Sequence, residues 1–127
     1  MLPVEYSELA MRTNKDMGTD VLNCMHAAAG MCGESGEVID IVKKSFAYGK
    51  PLDREHLIEE IGDNLWYVNL IINTLGTTWE EVMTKNIAKL AARYPDGYTD
   101  VAAIQRNTAA EKEAMQACQT ITVTTGS

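Results

Sequence analysis

The sequence predicts an all-α protein, a bundle of four to five helices, on three observations. Apolar residues recur at three- and four-residue spacing through most of the chain. The three prolines stand at positions 3, 51 and 95, outside the strongly periodic segments. Turn residues fall between those segments, at Met17-Gly18, Tyr48-Gly49-Lys50-Pro51, Gly76-Thr77-Thr78 and Tyr94-Pro95-Asp96-Gly97. With 127 residues, one domain over 1–118 is expected, followed by a flexible tail over 119–127.

The elements follow in order. A first helix is expected from about Val4 to Asn14, and a second from Asp20 to Ala47. Asp53 suits the N-cap of a third helix that runs to about Leu75 and stops at Gly76. Thr77 or Thr78 caps a fourth, in which Trp79, Val82, Met83, Ile87 and Leu90 share one face. Thr108 and Glu111 have capping-box spacing and predict a short, weakly anchored fifth helix. From Gln119 onward helical patterning is absent.

Composition excludes several classes. No apolar run approaches the roughly 18 residues needed to span a bilayer, so no membrane association is expected. Met1 to Leu9 carries Glu5 and Glu8 and lacks the features of a secretory signal, so a soluble, cytoplasmic protein is expected. Cys24, Cys32 and Cys118 are odd in number without a CxxC pair, and are read as buried free thiols. A net charge of -7 opposes binding to nucleic acid, whose affinity rests on clustered Lys and Arg.

Two acidic motifs stand out: Glu34-Ser35-Gly36-Glu37 in the second helix and Glu60-Ile61-Gly62-Asp63 in the third. At ~100° per residue, the acids of each pair share a face. On the third helix, Leu57, Ile61, Leu65, Val68 and Ile72 form an apolar stripe, with Glu60, Asp63 and Tyr67 directly beside it. On the second, Cys24, Met31, Val38 and Val42 form the stripe, flanked by Glu34 and Glu37. Two such acidic edges can face one another. Four carboxylates held together repel unless cations neutralise them, and Mg²⁺ or Mn²⁺ prefers hard oxygen ligands. Gly33, Gly36 and Gly62 sit inside predicted helices at a cost of ~1 kcal/mol each relative to alanine. Either close helix approach or access for a phosphate could compensate. The competing reading of the acids is a solvated face with i,i+4 pairs such as Asp40 with Lys44. His26, alone on a mostly apolar helix, is read as a packing residue.

These motifs resemble the MazG-like all-α nucleoside triphosphate pyrophosphatases, whose signature is ExxE followed after one loop by ExxD. The resemblance covers roughly Glu8 to Tyr98. It includes Gly33-Glu34-Ser35-Gly36-Glu37-Val38, Glu59-Glu60-Ile61-Gly62-Asp63-Asn64-Leu65-Trp66-Tyr67, and Lys85-Asn86-Ile87-Ala88-Lys89-Leu90 running into Arg93-Tyr94-Pro95-Asp96-Gly97-Tyr98. It implies Glu34, Glu37, Glu60 and Asp63 as Mg²⁺ ligands, with Mn²⁺ as a substitute. Glu37 and Glu59 are the candidates for activating water. It implies Lys89 and Arg93 as phosphate-handling residues on a ridge with Lys85, and Lys44, Tyr67 and Tyr94 as further substrate-binding candidates. Lys44 could also neutralise Glu37. Asn64 departs from the family, which usually has an aliphatic residue there, and the segment after Arg106 has no clear counterpart.

The activity so implied is Mg²⁺-dependent cleavage of a nucleoside triphosphate to monophosphate and pyrophosphate, with dGTP or dCTP as substrates by analogy with phage nucleotide-pool enzymes. A homodimer or homotetramer is implied as well, since thin helices leave apolar faces such as those of Trp66 and Trp79 to be covered. A carboxylate-bridged di-iron bundle is disfavoured, because neither His26 nor His56 completes a Glu-x-x-His motif. The rival from another class is a non-catalytic helical module that binds nucleotide or protein.

Overall fold

The computed structural model describes residues 1–118, and the segment 119–127, expected as a tail, lies outside the described residues. Among the described residues there are six helices: α1 (Pro3–Met11), α2 (Asp20–Tyr48), α3 (Arg54–Thr74), α4 (Trp79–Arg93), α5 (Asp100–Ile104) and α6 (Thr108–Ala117). The all-α class is as the sequence predicts, and the short α5 is an addition to it. Packing divides the chain into two compact units that meet in sequence after Thr78. The first holds α1, α2 and α3; the second holds α4, α5 and α6. The domain expected over 1–118 spans both.

Local chemistry sets the ends of the first unit's helices. Thr19 caps α2 by accepting from the Leu22 amide at 3.2 Å. Gly49, at φ +65°, ends α2 in the left-handed conformation that only glycine adopts freely. Its amide bonds Ser45 O at 3.0 Å and the Lys50 amide bonds Lys44 O at 3.2 Å, satisfying carbonyls the helix would otherwise leave open. Asp53 caps α3 through the His56 amide at 3.2 Å, as predicted. With so short a connection, α2 and α3 fold back on one another as an α-hairpin, the dominant contact of this unit.

The face each helix turns inward differs from the sequence expectation. The apolar stripe of α3 was expected to form the core with the acids at its edge, yet Ile61 is 55% exposed and Leu65 41%, while Glu60 is only 7% exposed. The inward face of α3 carries Glu60, Asn69 and Leu70 together with Ile72 of the expected stripe, and that of α2 carries Ala27 and Ile41. Packing turns the boundary between the two adjacent stripes inward: Glu60 and Ile72 are buried, Leu57, Tyr67 and Val68 half-buried, and Ile61, Asp63 and Leu65 exposed. What permits it is Gly30, against which the Tyr67 ring lies so closely that a Cβ would enter the ring's van der Waals envelope. Gly33, Gly36 and Gly62 are different: a Cβ there meets nothing within 4 Å among the described residues, so close helix packing does not account for them.

Helix α1 ends at Met11, short of the expected Asn14, and packs on α3. Trp66 Nε1 donates to Ala10 O at 3.2 Å and to Thr13 Oγ1 at 2.9 Å, and Asn73 Nδ2 donates to Ser7 Oγ at 2.8 Å. The polar edge of Trp66 is thereby satisfied within the chain. The cysteines are free, with Cys32 exposed and Cys24 and Cys118 half-buried, so the expectation of buried thiols is not met.

In the second unit α4 packs on α6. The capping box expected from Thr108 and Glu111 does not form. Asn107 is the N-cap, accepting from the Ala110 amide at 3.0 Å, and Glu111 is buried beneath two arginines. A helix expected to be weakly anchored is therefore fixed by a buried carboxylate.

The glycine contrast is testable by thermal unfolding. Gly30→Ala should lower stability by about 1–3 kcal/mol through overpacking. Gly62→Ala, with open space around the new Cβ, should raise it by up to ~1 kcal/mol through helix propensity.

Candidate functional site

The hairpin brings three carboxylates together. One oxygen each from Glu34, Glu60 and Asp63 lie within 4.8 Å of one another. Glu34 comes from α2, while Glu60 and Asp63 are one turn apart on α3. Glu60 is the buried member, and His56 Nε2 lies 3.0 Å from its Oε1. Burial pushes the Glu34 carboxyl above the ordinary glutamate range, reinforced by a hydrogen bond with Glu60 and then by the charges of Asp63, Glu60 and Glu37. Glu34 and Glu60 are thus close enough for their carboxyl groups to interact directly across the hairpin.

These residues fit a divalent ion. Opposite ligands of Mg²⁺ stand roughly 4.1 Å apart, from metal–oxygen distances of about 2.05 Å, so a small side-chain adjustment would let the three oxygens share one ion. A buried carboxylate bonded to another carboxylate is also the donor chemistry that a hard cation relieves. Glu37 and Glu59 are exposed and outside this close trio. Lys44 is bridged to Asp40 at 3.0 Å, with Lys43 on the same carboxylate at 2.9 Å, so the pairing of Lys44 with Glu37 is not made.

A cavity of about 470 Å³ opens beside the trio, with Glu34 and Asp63 in its wall. Tyr67, Trp66 and His26 line it too, as a cluster of edge-to-face rings with centroids 5.1 to 6.2 Å apart. Thr13 and Lys15 complete it from the α1–α2 loop. Tyr6, on α1, has its hydroxyl pKa raised by burial and then by the charge of Asp63. Sequence reading assigned His26 to packing and missed Thr13, Lys15 and Tyr6. The only signal for them was the unpaired indole N–H of Trp66, which needs an acceptor somewhere. The Asn64 amide is directed elsewhere: it donates to Glu60 O at 3.0 Å, its oxygen is 3.4 Å from Ser35 Oγ, and it lines a separate apolar groove with Val38, Ile61, Leu65 and Val68.

The basic residues Lys85, Lys89 and Arg93 belong to α4, in the second unit. Lys85 is paired with Glu81 one turn earlier. Arg93 Nε and Nη2 each lie 2.9 Å from a different oxygen of Glu111, a two-pronged contact, and Arg106 Nη2 reaches the same carboxylate at 2.7 Å. The Arg93 guanidinium also lies 5.7 Å from the centre of the Tyr94 ring, and Tyr94 packs against Tyr98. Arg93 and Arg106 hold the Glu111 carboxyl far below the ordinary range.

An α-hairpin that gathers carboxylates of an ExxE and an ExxD motif beside a ring-lined cavity is a helical fold whose site could hold a divalent cation next to an organic ligand. A MazG nucleotide pyrophosphohydrolase domain profile matches residues 25–98, more than half of the chain, and the chain belongs to that family. Its relatives include the Gene 37 protein of Mycobacterium phage L5, 32% identical over 76 residues that cover 57% of this chain and 67% of the relative. No solved structure matches. No helix among the described residues is long and apolar enough to cross a membrane.

The Glu111 contact predicts a pH dependence. A carboxylate whose folded pKa is depressed stabilises above its unfolded pKa and loses that stability as pH falls toward the folded value. Acidification from about pH 5 downward should therefore lower the melting temperature. Glu111→Gln should melt several degrees lower at pH 7 and lose less on further acidification, as followed by circular dichroism.

Proposed function

We propose that this protein is a Mg²⁺-dependent nucleoside triphosphate pyrophosphohydrolase that yields a nucleoside monophosphate and pyrophosphate, acting on a phage-type deoxynucleotide pool in the host cytoplasm. The observation that carries the reading is the convergence of Glu34, Glu60 and Asp63 within 4.8 Å beside a cavity large enough for part of a nucleotide. Mg²⁺ bound there supplies a Lewis acid for the phosphate oxygens and for the attacking water. Glu60 is the anchoring ligand in this scheme, oriented by His56, with Asp63 and Glu34 closing the coordination from both helices. Glu37 serves as a fourth ligand, and Glu59 or Glu37 takes the proton of the attacking water. The rings of Tyr67, Trp66 and His26 offer stacking surface and exclude water. By family resemblance Lys89 and Arg93 neutralise phosphate charge, with Lys85, Lys44 and Tyr94 in supporting contacts. The net charge of -7 supports a small anionic substrate presented with its metal rather than a nucleic acid.

A homo-oligomer belongs to the same proposal. Ile39, Ile58, Ile61 and Leu65 are exposed on the outer faces of the hairpin, more apolar surface than a small unit usually leaves to water. A second copy would cover it, with the groove of Val38, Ile61, Leu65 and Val68 at the contact.

Pyrophosphate release from a panel of NTPs and dNTPs, dGTP and dCTP among them, tests the activity with Mg²⁺ or Mn²⁺. Glu60→Gln and Asp63→Asn should each reduce turnover by at least about a hundredfold, and chelation should abolish it. Folded protein that binds nucleotide without releasing pyrophosphate would instead identify a binding module. Light scattering should give a dimer or tetramer, which Ile61→Lys shifts toward the monomer; an unchanged mass for that variant would move the interface elsewhere.

A further inference from the structure

We propose that Lys15, in the loop between α1 and α2, binds the substrate's phosphates, so that the triphosphate is held between this loop and the carboxylates of the hairpin. The inference rests on the pyrophosphohydrolase reading and extends it to a residue upstream of the family match, which starts at residue 25.

The loop is held on both sides of Lys15. Before it, Thr13 Oγ1 accepts from Trp66 Nε1 at 2.9 Å and lies 2.8 Å from Ala10 O. After it, Asp16 Oδ1 accepts from the Gly18 amide and from Asn23 Nδ2, both at 2.9 Å, while Asn23 Oδ1 accepts from the Met17 amide at 2.8 Å. The first set of bonds ties the loop to α3 and the second ties it to α2. The backbone of a loop lysine is thereby fixed to the two helices that carry the acids, which reduces the entropy lost when the side chain engages a ligand.

Its position suits an anion. Lys15 lines the cavity walled by Glu34 and Asp63 but forms no ion pair within 4.0 Å among the described residues. Lys43 and Lys44, in contrast, are already held by Asp40. A lysine near three carboxylates and bonded to none of them retains its charge for a ligand. Once a cation neutralises the acids, a polyphosphate in the cavity would be the strongest anion within reach of the ammonium, which suits phosphate as a compact point charge with three donors.

The test compares the full-length protein with Lys15→Gln and Lys15→Arg in three measurements. Calorimetric binding of a non-hydrolysable α,β-methylene deoxynucleoside triphosphate with Mg²⁺ should weaken about tenfold in Lys15→Gln and recover in Lys15→Arg, the scale of one charge-assisted hydrogen bond. KM for the hydrolysed nucleotide should rise in parallel. Mn²⁺ binding without nucleotide, read by electron paramagnetic resonance, should stay equal or tighten in Lys15→Gln, because a nearby positive charge has been removed. The opposite signs for metal and nucleotide distinguish phosphate binding from loop packing, whose loss would weaken both. Unchanged analogue affinity, or joint weakening of metal and nucleotide with a lower melting temperature, overturns the proposal, as does an unmodified protein that does not bind the analogue. If the unmodified protein binds the analogue but releases no pyrophosphate, the hydrolase reading fails alone, and the calorimetric comparison still decides Lys15.

Discussion

Glu60 lies inside the contact between α2 and α3, and most of the first unit can be understood as the means of keeping a carboxylate there. Removing an ionised group from water is costly unless a partner compensates. Here a partner comes from His56 one turn earlier, while the Glu34 carboxyl lies against Glu60 from across the hairpin. Close approach of the helices, set by the Tyr67 ring against Gly30, keeps Glu34 within reach. A pair of helices designed only for stability would place an aliphatic residue at position 60. The arrangement is the donor chemistry that a hard divalent cation would relieve.

The cavity follows from that geometry. Because Glu34 of α2 faces Glu60 and Asp63 of α3, Tyr67, one turn beyond Asp63, is directed against α2, where it meets His26, with Trp66 of α3 edge-on beside it. Trp66 in turn engages α1 and the loop after it through its indole N–H. The same orientation of α3 that buries Glu60 leaves Ile61 and Leu65 in solvent.

The second unit uses a comparable device with the opposite balance of charge. Glu111 is buried between Arg93 and Arg106, two cations to one anion, and α6 is anchored to α4 by that carboxylate as well as by apolar contact. Arg93, which family resemblance associates with phosphate, thus has its orientation set by a bidentate partner. Ordering a guanidinium in advance reduces the entropy that a phosphate contact would otherwise cost.

From the sequence alone came the helical class, the cap at Asp53, the turn at Tyr48-Gly49-Lys50-Pro51, and the two acidic motifs with the family they resemble, because these depend on interactions between residues a few positions apart. Periodicity also placed Glu60, Asp63 and Tyr67 on one stripe and Leu57, Ile61, Leu65, Val68 and Ile72 on the next. It could not tell that the boundary between them turns inward, since that depends on how the surface of α3 fits that of α2, and the close fit at Gly30 decided it. The true cap at Asn107, the partnership of Glu111 with Arg93 and Arg106, and the arrival of Lys15 beside the acids were likewise decided by tertiary structure. Each joins groups through space that local spacing does not connect, and the free energy that selects such contacts exists only once the helices have packed.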